Sequence, residues 1–184
     1  LETRDLNGNV ITQIGHGLQF EVWAYVQDMR NVPGYQSAPG LDDAEKGVFS
    51  AYMDLLYDTA LVSFAGVEFS SNYPAGTNFD VGVPGIVNEV GALQGTGLPY
   101  GPSEKLLYKA TFTASELGTT QFRSDPADDI PLHETTLNQP ETQVDYPQIE
   151  FLATTIQVIE SPDLVKVRQR YADRAVPADQ KAGG

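Results

Sequence analysis

Apolar and polar residues alternate with a period of two along much of the chain, the signature of strands with one dry and one wet face. Leu18, Phe20, Val22, Ala24 and Val26 share one face of such a strand, and Gln19, Glu21, Trp23, Tyr25 and Gln27 share the other. Phe49, Ala51, Met53, Leu55 and Tyr57 repeat the pattern, as do Leu106, Tyr108, Ala110 and Phe112. The latter stretch is rich in the aromatic and β-branched residues that suit a pleated, half-buried surface. Over 149–159 the apolar set begins with Ile149, Phe151 and Ala153 and then shifts phase to Thr154, Ile156 and Val158, which predicts a bulge near Ala153. Shorter strands are predicted at 61–64, 67–70, 86–89 and 119–123. Near the start, Asn7-Gly8 stands between two strand-like runs at 1–4 and 10–14 and predicts a hairpin over 1–15 closed by a type I′ turn. Gly and Pro cluster at 31–40, 72–85 and 91–102, which read as loops.

Many short strands punctuated by turns define an all-β sandwich or barrel. No helical period emerges before residue 160, so 1–160 reads as one domain of eight or nine strands. The pattern then changes. Ser161 suits an N-cap, with Pro162 at the first helical position and Asp163 in the first turn. Leu164, Val167 and Tyr171 follow at helical spacing, interleaved with Lys166, Arg168 and Arg170. Residues 161–184 are therefore expected to be a short helical tail or linker that ends in a loose 178–184 stretch.

Composition narrows the function. With 41% hydrophobic residues over 184 positions, the chain can bury a core without help from disulfides or metal. It contains no cysteine, which excludes a disulfide scaffold, a thiolate zinc site and a cysteine nucleophile. The formal charge of −14 argues against nucleic acid and against an anionic membrane surface as partners. No apolar run is long enough to span a bilayer. The chain opens on Leu1 without a charged-then-apolar leader, as expected of a mature product whose targeting signal lies elsewhere. The charge is also uneven: residues 1–160 carry 22 Asp and Glu against 6 Lys and Arg, whereas 161–184 carry 3 against 5. An acidic body is followed by a mildly basic tail.

The order of elements resembles the cohesin-like β-sandwich, of jelly-roll type, that also underlies several carbohydrate-binding modules. The matching pieces are Leu18-Gln-Phe-Glu-Val-Trp-Ala-Tyr-Val-Gln-Asp28, then Gly47-Val-Phe-Ser-Ala-Tyr-Met-Asp-Leu-Leu-Tyr-Asp58, the strand at 106–113 and the closing Ile156-Gln-Val-Ile159. More narrowly, Asp5-Leu-Asn-Gly-Asn9, Val26-Gln-Asp28, Gly47-Val-Phe49, 62–66, Tyr73-Pro74 and Asp125-Pro-Ala-Asp128 look like a repeat of planctomycete-type bacterial surface proteins, often near dockerin-type modules. The resemblance implies an antiparallel sandwich in a secreted or cell-surface protein, with protein partners or copies of itself. The chain departs from the pattern in two places: residues 29–46 are longer than expected, and the tail after Glu160 has no counterpart.

Signatures of catalysis are scarce. His16 and His133 are not at metal-pair spacing, and neither a Gly-x-Ser-x-Gly elbow nor a phosphate-cradling Gly-Lys-Ser/Thr loop is present, so a non-catalytic role is expected. Asp125, Asp128, Asp129 and Glu134 fall in a loop stiffened by Pro126 and Pro131, an arrangement able to offer oxygens to calcium, the one candidate cofactor, or simply to cap solvated turns. Asp42, Asp43 and Glu45 form a second acidic patch, a solvated loop surface able to contribute to a cation site or to a basic partner's footprint. Trp23 and Tyr25 lie on the non-core side of their strand, where they would stack on polysaccharide, meet a protein, or be covered by a loop. In the tail, Leu164, Val167 and Tyr171 could dock on a neighbouring acidic sandwich, steered by Lys166, Arg168, Arg170 and Arg174. Two functions follow: adhesion or self-assembly through protein contacts, and, as the alternative, carbohydrate binding through the exposed aromatics.

Overall fold

A computed structural model describes residues 1–95, 99–129, 133–139 and 141–161. Among these residues are twelve strands: β1 (Glu2–Arg4), β2 (Gln13–Gly15), β3 (Gln19–Val26), β4 (Val48–Leu56), β5 (Val62–Phe69), β6 (Ala75–Asp80), β7 (Ile86–Leu93), β8 (Lys105–Ala114), β9 (Gly118–Pro126), β10 (Thr136–Leu137), β11 (Thr142–Gln143) and β12 (Ala153–Ile159). Single 3-10 turns at Asp43–Glu45 and Tyr146–Gln148 are the helical elements among the described residues. The first sheet has the order β1-β3-β8-β5. The second runs β11-β10-β4-β9-β12-β2, with β7 along the other edge of β4 and β6 outside β7. All pairs are antiparallel except β12 with β2.

The sheets meet over an aromatic core. Phe20 of β3, Phe112 of β8 and Phe122 of β9 are fully buried, and the Phe112 and Phe122 ring centroids lie 4.7 Å apart. Each such ring contributes roughly 1.5–3 kcal/mol by leaving water. Tyr57 and Phe64 meet Phe112 edge-on at 5.1 and 5.7 Å. Phe20, Val22 and Ala24 sit on the buried face of β3 as the alternation requires, whereas Leu18 stands half out in solvent just before the strand.

Several expectations are corrected. The segment 1–15 does not close as one hairpin. Arg4 and Val10 form a single bridge, and then β1 joins the first sheet while β2 crosses to the second. Its turn is not type I′: Gly8 alone is left-handed (φ 82°), and its N–H donates to the Asp5 carbonyl, as in a type I turn closed by a glycine bulge. The runs at 61–64 and 67–70 are one strand, β5, whose register against β8 slips between Phe64 and Gly66. The loop expected at 72–85 contains the edge strand β6, and the one expected at 91–102 starts later because β7 runs to Leu93. No bulge occurs at Ala153: β12 pairs β9 without slippage from Ala153 to Val158. The phase change arises because 149–152 lie before the strand.

Candidate functional site

Asp28, just past the end of β3, organises one end of the sandwich. Its buried carboxylate takes both Nε and Nη2 of Arg30, at 2.6–3.1 Å, and accepts the Gly47 N–H at 2.8 Å. Arg30 in turn donates to the carbonyls of Asn138 and Gln139 at 2.6 and 3.1 Å. Burial opposes ionisation of Asp28, but the guanidinium of Arg30 and the two backbone N–H groups outweigh it, so its carboxyl is held below the usual range. The long segment 29–46 is thereby pinned at both roots.

Against that segment lie 144–152, and between them opens a cleft of about 530 Å³. Its walls are largely apolar, with Val26, Met29, Val48, Met53, Leu137, Val144, Ile149 and Phe151 among the lining residues. Glu104, Gln148 and Glu150 line it where it meets solvent. The Tyr35 hydroxyl donates to Glu150 at 2.7 Å and straps one wall to the other. The cleft was not foreseen from sequence. The one signal pointing to it was the excess length of 29–46.

Trp23 and Tyr25 lie half-buried on the outer face of the first sheet, ring centroids 6.3 Å apart. The strands flanking β3 each send a cation to the indole. Arg4 from β1 lies 4.4 Å, and Lys109 from β8 4.8 Å, from the ring centroid. The indole N–H donates to Glu21 at 2.6 Å. The hairpin tip is close by, since a Cβ at Gly8 would come within 3.7 Å of the ring edge. Trp23 is thus fixed between two cations, and a sugar could stack on it only by displacing one of them.

The predicted calcium residues are distributed over β9 and the residues that follow it. Asp125 is an exposed residue of β9 paired with Asp54, Asp129 accepts from the Asn88 amide at 2.8 Å, and Asp128 and Glu134 are exposed. Among the described residues no three acidic or imidazole side chains form a metal-holding group. A different cluster occupies the outer face of the second sheet. Asn88 and Glu89 of β7 bulge against Asp54 of β4, leaving Glu89 buried and left-handed (φ 52°). Asp54 accepts the Glu89 N–H at 2.8 Å, while the Glu89 carboxylate accepts the Asp129 N–H at 2.8 Å and meets His133 Nδ1 at 2.7 Å. His133 packs on Tyr52, ring centroids 4.8 Å apart. Burial, with Glu89, Asp128 and Asp129 adding like charge, pushes the Asp54 pKa from 3.8 up to about 6. This cluster ties Asp129 and His133 to β4 and β7.

Asp42, Asp43 and Glu45 lie exposed at the 3-10 turn, and part of their charge is already engaged. Glu45 accepts the Asp42 N–H at 3.0 Å, and Asp43 pairs with Lys46 at 2.7 Å. The tail residues Leu164, Lys166, Val167, Arg168, Arg170 and Tyr171 lie outside the described residues.

No protein-family model matches the sequence, and no curated protein is similar to it. Solved structures do share its architecture. A cohesin module from a Clostridium perfringens family 33 glycoside hydrolase superposes with a TM-score of 0.53 at 14% identity, over 83% of this chain and 94% of that one. The seventh ScaB type I cohesin of Pseudobacteroides cellulosolvens gives 0.53 at 15% identity, over 81% and 88%. CaCohA2 of Clostridium acetobutylicum gives 0.52 at 13% identity, over 83% and 88%. At such identities the likeness is one of fold, and that fold is the cohesin-like β-sandwich.

Proposed function

We propose that the chain is a non-catalytic, protein-binding module of an extracellular or cell-surface bacterial protein, serving adhesion or assembly. The observation that carries this reading is the outer face of the first sheet, where Trp23 is held between Arg4 and Lys109 with Tyr25 beside it. A rigid, partly exposed aromatic with cationic neighbours is the kind of group that anchors protein interfaces, because little side-chain entropy remains to be lost on binding. The fold supports the reading by analogy, since CaCohA2 is also solved in a complex with CaDoc0917. Carbohydrate binding is the weaker alternative, because Arg4 and Lys109 already occupy the indole.

The test is surface plasmon resonance of the immobilised chain against a dockerin-type module. Saturable binding, weakened at least tenfold by Trp23→Ala with the fold intact by circular dichroism, is expected. No binding, or binding indifferent to Trp23, would sink the reading. Retention on insoluble polysaccharide that is lost in Trp23→Ala would replace it with the carbohydrate alternative.

A further inference from the structure

The cleft lies at one pole of the sandwich and the tail leaves from the other. Leu152 lines the cleft. From there β12 runs for seven residues, Ala153 to Ile159, or about 23 Å at strand rise. It delivers Ser161 beside Gly15, where a Cβ on that glycine would lie 3.4 Å from the Ser161 Cα. Leu164 is three residues further on and can reach at most about 11 Å from Ser161. Leu164 therefore cannot settle in the cleft of its own chain, but the stretch that it opens can enter that of another.

The chemistry of the two parts matches. Leu164, Val167 and Tyr171 supply apolar groups for walls formed by Met29, Val48, Leu137, Ile149 and Phe151. Lys166, Arg168 and Arg170 would meet the Glu104 and Glu150 carboxylates at the mouth. The cation within the lining, Arg30, is already neutralised by Asp28 and does not oppose them. We infer that the cleft of one copy receives the 164–171 segment of a second copy, giving head-to-tail assembly. This rests on the reading of the chain as an assembly module and names the site. Because donor and acceptor surfaces differ, the contact is heterologous and propagates unless it closes into a ring.

Sedimentation of the full 184-residue chain tests the inference. The mass should rise with concentration from micromolar to millimolar, and less so in high salt. Glu150→Lys and Arg168→Glu should each weaken association at least tenfold, and the two together should restore part of it. A synthetic 162–184 peptide should shift the amide resonances of Met29, Leu137 and Phe151.

A single-chain mass at every concentration overturns the inference. If Arg168→Glu then still perturbs the cleft resonances, the tail docks within its own chain. Peptide shifts confined to another surface overturn the cleft as the receptor. Association lost in Arg168→Glu but kept in Glu150→Lys rejects the cleft and leaves tail-driven assembly standing. Association lost only in Trp23→Ala assigns self-contact to the sheet face instead.

Discussion

The Asp28 carboxylate accepts the Gly47 N–H at 2.8 Å, so one side chain ties together the two ends of the long segment between β3 and β4. The same carboxylate holds Arg30, whose guanidinium reaches the Asn138 and Gln139 carbonyls beside β10. A loop of that length would ordinarily move independently of the sheets. Here its roots are fixed by charge-assisted bonds in a dry environment, which is what allows it to serve as the wall of a cleft.

Removing that carboxylate should be costly. Asp28→Asn keeps the shape but leaves Arg30 buried without its counter-charge, at an expected loss of about 3–5 kcal/mol in urea unfolding. The folded pKa of Asp28 is depressed, so its contribution is present above the unfolded value of 3.8 and is lost as pH falls through the lower folded value. The deficit of the variant should therefore shrink in acid. A loss under about 1 kcal/mol at pH 7 would show that water already solvates the pair.

Asp54 works in the opposite direction. Its folded pKa, about 6, lies above the ordinary value of 3.8, so the native state prefers the protonated acid. Relative to a neutral residue it costs nothing below pH 3.8 and destabilises progressively as pH rises through 6. Asp54→Asn retains an oxygen for the Glu89 N–H. It should raise stability at pH 7.5 by roughly 1 kcal/mol after allowance for solvent screening, or about 2–4 °C in Tm. The gain should vanish at pH 4. Equal shifts at both pH values would show that Asp54 ionises normally.

The strands β3 and β8 were legible because each has one face in the core and one toward solvent, so alternation maps directly onto burial. In β4 the rule fails, since His133 and Glu134 lie over its outer side. Ser50 and Tyr52 are buried along with Ala51 and Met53, while Phe49, assigned to the core by parity, is only half-buried. The edge strand β6 was missed because Gly76 and Asn78, poor strand formers, interrupt it and most of its residues are exposed. The cleft joins segments from Leu1 to Leu152, and the Glu89–His133 contact spans 44 positions. No local period encodes such contacts. The acidic residues of 125–134 looked like a cage because they are close in sequence, but among the described residues no three acidic or imidazole side chains form a metal-holding group.

Gly91 should tolerate no side chain. A Cβ there would lie 2.1 Å from the Ala51 carbonyl oxygen and 2.6 Å from the Tyr52 Cα, where β7 meets β4. Both obstacles are backbone, so relief requires the strands to part. Gly91→Ala is expected to cost more than about 3 kcal/mol by overpacking and lost pairing. Gly66, in β5, would meet nothing within 4 Å, so Gly66→Ala should stay within about 1 kcal/mol. Equal effects in chemical denaturation would refute the close approach of β7 to β4.

The final prediction concerns whether the cations beside Trp23 interact with it or merely lie nearby. Arg4 has other bonds, to Glu2 at 2.5 Å and to the Gly8 carbonyl at 2.6 Å, so Arg4→Met alone confounds loss of the hairpin anchor with loss of the ring contact. Lys109 is simpler, since its other partner, Glu68, is 3.7 Å away and largely exposed, a pair worth little in water. A double-mutant cycle of Lys109→Met and Trp23→Leu isolates the contact, because each single change removes it and shared background effects cancel. A coupling of about 0.5–1 kcal/mol is expected for a half-exposed cation and indole. A coupling indistinguishable from zero would mean that Trp23 is held by Arg4 and the hairpin alone. The ring side facing Lys109 would then be open to a ligand, which would restore the carbohydrate alternative.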